Sequence, residues 1–243
     1  MSYIVVIPAR YQSTRLPGKP LINLCGVPMI VRTYNQCIKF APADKVCVAT
    51  DSQQIKDVCE QNGIRVVMTS ENCMTGTDRV AEVAEQINVQ TYINVQGDEP
   101  VFNPDDLRAL VQAAEKNPDE VINGYCSIQD EEQFRSHSIP KVVLRPDGRL
   151  LYMSRAPIPT NKHGDFVNAW RQVCAYAYPR ESLQSFAKIQ SKMQLEKIED
   201  IEILRFLELG WEVRMISMSN NSVAVDIPED KLRAEQAISS MGL

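Results

Sequence analysis

Through residues 3–127, short β-branched apolar runs alternate with stretches of helical periodicity, and no other feature restricts the fold as much. Tyr3–Ile7, Lys45–Thr50, Ile64–Met68, Thr91–Val95 and Glu120–Ser127 are too short for buried helices and read as strands. Pro28–Ile38, Gln54–Gln61, Thr77–Gln86 and Pro104–Lys116 read as helices, with Pro28 in a first turn, Asp51-Ser52 as an N-cap and Gly63 as a stop. A β-α-β-α rhythm predicts a mostly parallel sheet with helices on both faces. Right-handed crossovers then place the C-terminal ends of the strands on one edge, where ligands bind.

The rhythm breaks near residue 128. Pro140–Leu144 and Leu150–Met153 flank the turn Arg145-Pro146-Asp147-Gly148-Arg149 and read as a hairpin. Gln172–Tyr178 and Val213–Met218 read as strands, Glu199–Leu209 as one helix ended by Gly210, and Pro228–Ser239 as a C-terminal helix. The expectation is one domain over residues 1–243 with an insertion at about 128–195.

The first strand opens at Pro8 into a loop that holds Arg10, Arg15 and Lys19 and no acid. Three cations crowded at a buried strand end repel one another unless an anion lies between them, and a polyphosphate suits them. Ser13 stands where a Walker loop needs Gly and Pro20 where it needs Ser or Thr, and the chain has no G-x-G. The loop is therefore neither a Walker loop nor a dinucleotide fingerprint. Asp98, after a buried strand and Gly97, and Asp226, at the end of another apolar run, are candidate magnesium carboxylates. Each reads as readily as a helix cap. Met74 to Arg79 form a small-residue loop opening a helix, suited either to a flat base or to plain capping. Arg155, among apolar neighbours, needs either a bound carboxylate or an internal ion pair. Glu196, Glu199 and Glu202 share one helix face, which reads as solvated.

Composition removes other classes. A net charge of −5 gives no nucleic-acid footprint, and no apolar run spans a membrane. The seven scattered cysteines lack C-x-x-C spacing, and only His137 and His163 are available for a His-rich metal site. A start that runs straight into strand pattern, with no signal core, and cysteines of this kind suit a reducing cytoplasm.

Ile7-Pro8-Ala9-Arg10-Tyr11-x-Ser13-Thr14-Arg15-Leu16-Pro17-Gly18-Lys19-Pro20, Val48-Ala49-Thr50-Asp51, Gly76-Thr77-Asp78-Arg79, Asn94-Val95-Gln96-Gly97-Asp98-Glu99-Pro100, Leu151-Tyr152-x-Ser154-Arg155 and Val225-Asp226-x-Pro228-Glu229-Asp230 form one further pattern. With these motifs the chain resembles, over nearly its whole length, the 3-deoxy-manno-octulosonate (Kdo) cytidylyltransferases. The resemblance implies an α/β, Rossmann-like nucleotidyltransferase (glycosyltransferase-A-like) fold, with a smaller inserted dimerisation and sugar-binding region. It implies a homodimer that joins CTP and an acidic keto sugar, with Mg²⁺, for lipopolysaccharide or capsule synthesis. By the same resemblance Ala9, Arg10, Ser13, Arg15, Lys19, Met74, Thr75, Gly76, Thr77 and Asp98 bind the nucleotide. Asp98 and Asp226 hold the metal, and with Lys19 and Arg10 they form the catalytic set. Gln96, Arg155, Gln172, Tyr176 and Glu202 lie near the sugar.

The chain departs from the family at Gln172, where the family has His, and at Ile203, where it has Gln. Polar contacts to a substrate hydroxyl discriminate strongly, so a different acidic sugar or small acid is the alternative substrate. A nucleotide-binding module without turnover is the non-enzymatic alternative.

Overall fold

The computed structural model describes residues 1–13 and 16–243. Thr14 and the predicted phosphate contact Arg15 lie outside the described residues. The chain forms two compact units, Met1–Arg108 with Asn221–Leu243, and Ala109–Asn220.

The first unit is built on β1 (Tyr3–Ala9), whose Val5, Val6 and Ile7 are completely buried. A two-residue hairpin, β2 (Asn23–Leu24) and β3 (Val27–Pro28), leads into α1 (Met29–Cys37). β4 (Val46–Thr50), α2 (Gln53–Gln61), β5 (Val66–Met68), α3 (Gly76–Gln86) and β6 (Thr91–Val95) follow. The strands pair in parallel in the order β6-β1-β4-β5, with Val5 opposite Val46, Val6 opposite Asn94, and Val48 opposite Val66. The Ser52 hydroxyl caps α2, and Gly63, at φ 69°, follows its end, as the sequence implies. β5 starts two residues later than expected because the Ile64 N–H donates to the Cys59 carbonyl and still belongs to the close of α2. The boundary between the units falls within α4 (Pro104–Lys116).

The second unit holds β7 (Val121–Ser127), α5 (Glu131–Arg135), β8 (Lys141–Leu144), β9 (Leu150–Ser154), β10 (Trp170–Pro179), α6 (Arg180–Ala187), α7 (Gln194–Glu199), α8 (Ile203–Glu208) and β11 (Val213–Ser217). β11 runs parallel to β7, β10 runs antiparallel to both β7 and β8, and β8 and β9 form the expected hairpin. β10 is bulged between Val173 and Tyr176, where the Asn123 amide donates to the Val173 and Ala175 carbonyls, both at 3.0 Å. The single helix expected over Glu199–Leu209 is two, because Asp200 turns left-handed at φ 53° and stops α7. Tyr176, Tyr178, Phe206 and Phe186 stack in succession through the interior of this unit.

The chain returns to the first unit for α9 (Asp230–Met241). Ala234 and Ile238 of α9 pack with Leu24, Met29, Val101 and Val225 in one buried cluster. That cluster anchors the residues just before α9, and Asp226 is among them. Among the described residues no helix is long and apolar enough to cross a membrane.

Candidate active site

Lys19 follows Gly18, which sits at φ 67°, a conformation glycine adopts without steric strain. The Gly18 N–H donates to the Tyr11 carbonyl and the Lys19 N–H to the Leu16 carbonyl, each at 3.1 Å. The Ser13 hydroxyl accepts the Leu16 N–H at 3.4 Å. Lys19 points its ammonium at two acids: its Nζ lies 2.6 Å from Asp98 Oδ2 and 3.1 Å from Asp226 Oδ1.

The three residues are brought together by the ends of separate elements. β6 ends at Val95 and delivers Asp98 through Gln96 and Gly97. The Asp98 carbonyl accepts the Val225 N–H at 3.0 Å, which joins the two carboxylate-bearing segments through their backbones. The Asp230 carboxylate accepts the N–H of Asp226 at 2.8 Å and of Ile227 at 3.1 Å, and Arg233 pairs with its other oxygen. Burial pushes the Asp230 carboxyl upward, but the backbone N–H groups and Arg233 outweigh it and hold the pKa below the usual value. The Ser222 hydroxyl meets the buried Glu99 carboxylate and adds another tie between the same segments.

Burial is the largest influence on the Lys19 ammonium and pushes its pKa down; the attraction and hydrogen bonds of Asp98 and Asp226 outweigh it, so the value is raised. The expectation that the basic loop needs an outside anion is therefore corrected for Lys19, whose countercharge is the chain's own. The cap reading of Asp226 also gives way: Glu229 occupies the N-cap position of α9, with no side-chain cap bond.

Around this triad, Ala9 is the buried last residue of β1 and Arg10 is exposed just beyond it. Thr75 caps α3 by a capping box with Asp78. Met74 is exposed and Thr77 is completely buried. A Cβ on Gly76 would lie 3.3 Å from the Gln96 amide nitrogen and 3.4 Å from Pro8 Cγ. Gly76, from the expected base-binding loop, and Gln96, from the expected sugar-binding set, are thus neighbours at the end of β1. Arg79 donates to Asp51 at 3.0 Å and to the Thr69 hydroxyl, joining two sequence motifs in a structural contact.

The second unit holds the other expected sugar residues. The Gln172 amide nitrogen donates to Asn123 Oδ1 at 3.0 Å and to the Tyr176 hydroxyl at 3.2 Å, so Gln172 and Tyr176 meet in one buried network. Burial pushes the Tyr176 phenol well above its ordinary pKa. The Arg155 guanidinium is held by backbone carbonyls, those of Glu199 at 2.6 Å and of His137 and Asp200 at 3.0 Å. The Asp200 carboxylate lies 4.0 Å from the same guanidinium, so the internal ion pair is present beside these carbonyl bonds. Glu202 stands at the N-cap of α8 and is half-buried, beside the fully buried Ile203.

The solvated face expected of Glu196, Glu199 and Glu202 is not observed. Glu196 is buried and bonded to Arg205 by two contacts of 2.6 Å. Glu199 accepts from the Ser154 hydroxyl at 2.6 Å and the Arg155 N–H at 2.8 Å. Sequence reasoning also missed Glu99 and Asp230 as supports for the carboxylate pair; the repeated acid in Asp226-x-Pro228-Glu229-Asp230, followed by a helix, was the available signal for the latter.

Asp98 and Asp226 offer hard oxygen ligands to a single point, a donor set that fits magnesium held partly by protein and partly by substrate phosphates. Among the described residues no group of three or more His, Cys, Asp or Glu side chains could hold a metal ion. With a cationic loop on the same strand ends, the arrangement can neutralise a polyphosphate and hold its counter-ion.

Residues 4–218 match the family described as cytidylyltransferase. The chain is 38% identical over 242 residues to a 3-deoxy-manno-octulosonate cytidylyltransferase of Protochlamydia amoebophila (strain UWE25), covering 96% of this chain and 93% of that protein. It is 34% identical over 236 residues to one of Escherichia coli, covering 96% of each. A solved structure of CMP:2-keto-3-deoxy-manno-octonic acid synthetase complexed with CTP matches with a TM-score of 0.92 at 33% identity over 100% of both chains.

Proposed function

The chain belongs to the Kdo cytidylyltransferase family, and from that premise we propose that it transfers the cytidylyl group of CTP to Kdo, releasing pyrophosphate. The fold is that of a nucleotidyltransferase, and the relatives are enzymes of that class, which sets aside the non-catalytic alternative. One observation carries the reading: the Lys19 ammonium, Asp98 and Asp226 converge within hydrogen-bond distance. In the reaction the anomeric hydroxyl of the sugar attacks the α-phosphorus, a new P–O bond forms as the hydroxyl proton passes to solvent, and the bond from that phosphorus to the pyrophosphate oxygen breaks. Lys19 and Arg10 neutralise the phosphate oxygens as charge shifts toward the leaving group. Asp98 and Asp226 hold Mg²⁺, which when bound supplies further neutralisation of those oxygens. Met74 to Thr77 face the base, and Gln96 faces the sugar.

The finer reading adds a cytoplasmic homodimer serving lipopolysaccharide or capsule synthesis. Free cysteines support the reducing compartment, and exposed Leu151, Val167 and Ile198 of the second unit are apolar surface of the kind an interface covers. Gln172 replaces a family histidine, but its amide is engaged by Asn123 and Tyr176, which supports an internal role and Kdo as the acceptor.

Pyrophosphate release, measured with each of the four NTPs against a panel of keto-deoxy acids, tests the proposal. CTP with Kdo is the expected pair, and preference for another acid would reassign the acceptor. Lys19→Ala is expected to abolish release while keeping the far-UV spectrum of the parent. Unchanged turnover in that variant would remove Lys19 from the mechanism.

A further inference from the structure

Two roles proposed for this site collide in the geometry. Asp98 and Asp226 are read as holders of a divalent cation, and Lys19 as a phosphate ligand, yet the Lys19 ammonium lies between the two carboxylates at 2.6 and 3.1 Å. One nitrogen within hydrogen-bond distance of both oxygens stands where a cation shared by them would stand. The Lys19 side chain is only 16% exposed, and both acids are better exposed, at 24% and 43%. The carboxylates are therefore reachable from solvent, and the ammonium already offsets one of their two negative charges.

We infer that Lys19 is a built-in placeholder for the metal: without nucleotide its ammonium occupies the point that Asp98 and Asp226 share, offsets one of their two negative charges and excludes the free divalent cation, and an arriving triphosphate draws the ammonium away from that point. This rests on the reading above that the two acids hold magnesium. Three features carry the inference. The carboxylates are positioned independently of any metal, since the Val225 N–H to Asp98 carbonyl bond and the Asp230 bonds to Asp226 and Ile227 fix their backbones. The lysine has a flexible stem and three rotatable donors, so it can exchange acid partners for phosphate oxygens without backbone movement. A bound metal and a bound ammonium at the same pair of oxygens would repel each other at short range, so they alternate. The cation accordingly enters with the nucleotide and not before it. A chain kept in millimolar magnesium would hold its site closed with the ammonium until CTP came.

Mn²⁺ serves as the probe, followed by the relaxation of water protons around the protein-bound ion, which needs no turnover. The parent, Lys19→Gln and Lys19→Met are titrated with Mn²⁺ alone, and the parent, Asp98→Asn and Asp226→Asn with Mn²⁺ in the presence of CTP and without acceptor. Removing a full positive charge in contact with both oxygens should tighten binding of Mn²⁺ alone by at least about tenfold in either Lys19 variant. Adding Asp226→Asn to Lys19→Gln should cancel that gain. The thermal midpoint should rise with Mn²⁺ alone in Lys19→Gln and stay fixed in the parent, since a ligand stabilises only the form it binds; this readout also shows that the variant is folded. Equal Mn²⁺ affinity of the parent and both Lys19 variants without nucleotide would overturn the placeholder role. If instead Asp98→Asn and Asp226→Asn leave the Mn²⁺ affinity of the CTP complex unchanged, the metal reading itself falls, and the placeholder role falls with it.

Discussion

Gly97→Ala tests whether the closeness of two strand ends sets the geometry of the site. A Cβ at residue 97 would lie 2.8 Å from the Pro8 carbonyl oxygen and 3.3 Å from Ile30 Cδ1, where ordinary contact begins at 3.4 Å. The chain must therefore open by about half an ångström at this point. Neither side yields freely. Pro8 of β1 is paired with Ala49 of β4, and the Gly97 carbonyl accepts the Thr33 hydroxyl at 3.2 Å. Overpacking of this kind costs about 1–3 kcal/mol. For a chain of this length each kcal/mol lowers the melting midpoint by roughly 2–4 °C. The same displacement moves Asp98, the next residue, away from Lys19 and from its alignment with Asp226. Two assays read the two effects: urea denaturation for stability, and pyrophosphate release titrated with magnesium. The expected result is a lowered denaturation midpoint together with a several-fold higher magnesium requirement. Gly124→Ala is the comparison, because the nearest atoms to its Cβ would be those of the Met218 side chain, Sδ first, and no backbone atom is among them. It should lose less stability and keep the magnesium requirement of the parent. A Gly97→Ala chain with the parent's midpoint and magnesium requirement would refute the reasoning.

The other predictions concern the support of the fold. Arg205→Met strands the buried Glu196 carboxylate and should destabilise by about 3–5 kcal/mol, whereas the double change with Glu196→Leu should recover most of that in urea denaturation; a double variant as unstable as the single would show that the pair itself stabilises. Burial pushes the Glu120 carboxyl up, but hydrogen bonds and charge from Arg214 and Arg149 outweigh it and hold its pKa below 4.5. Its contribution is then present above the ordinary value and lost as pH falls through the lowered one. The stability gap between the parent and Glu120→Gln should therefore narrow on acidification below 4.5, and a gap independent of pH would contradict the assignment. Burial pushes the Cys37, Cys47 and Cys59 thiols up to about 12, so iodoacetamide at neutral pH should label the exposed Cys25 and Cys174 first, as peptide mass mapping would show.

Much of the first unit was legible because its signals are local. Thr91–Val95 and Pro104–Lys116 carry the same boundaries in the sequence reading and in the structure, since each is framed by turn residues and holds one clear period. Legibility fell where distant residues decide. Asp200 breaks the helix expected over Glu199–Leu209 by a left-handed turn that any polar helical pattern conceals. The α5 and α6 segments went unread because the first is a single capped turn and the second begins directly at the end of β10. The backbone carbonyls that hold Arg155 leave no trace in a sequence, so only its need for a partner could be read there. The acids Asp98 and Asp226 could be singled out by their place after apolar runs. Their meeting on Lys19 could not, because it depends on residues separated by 79 and 207 positions.

That separation has a kinetic consequence. The contact from Lys19 to Asp226 closes almost the entire chain, and the entropy of closing so long a loop falls due before the contact gives anything back. Contacts of such span form late in folding. During synthesis the basic loop and Asp98 exist for most of the chain's growth while Asp226 is still unmade. A ribosome-bound or truncated chain lacking the last residues could fold β1, β4 and β6 and still possess no closed carboxylate pair. Activity in this architecture waits on the return of the chain to the first unit: Asn221–Leu243, made long after Lys19 and Asp98, is the stretch that finishes the site.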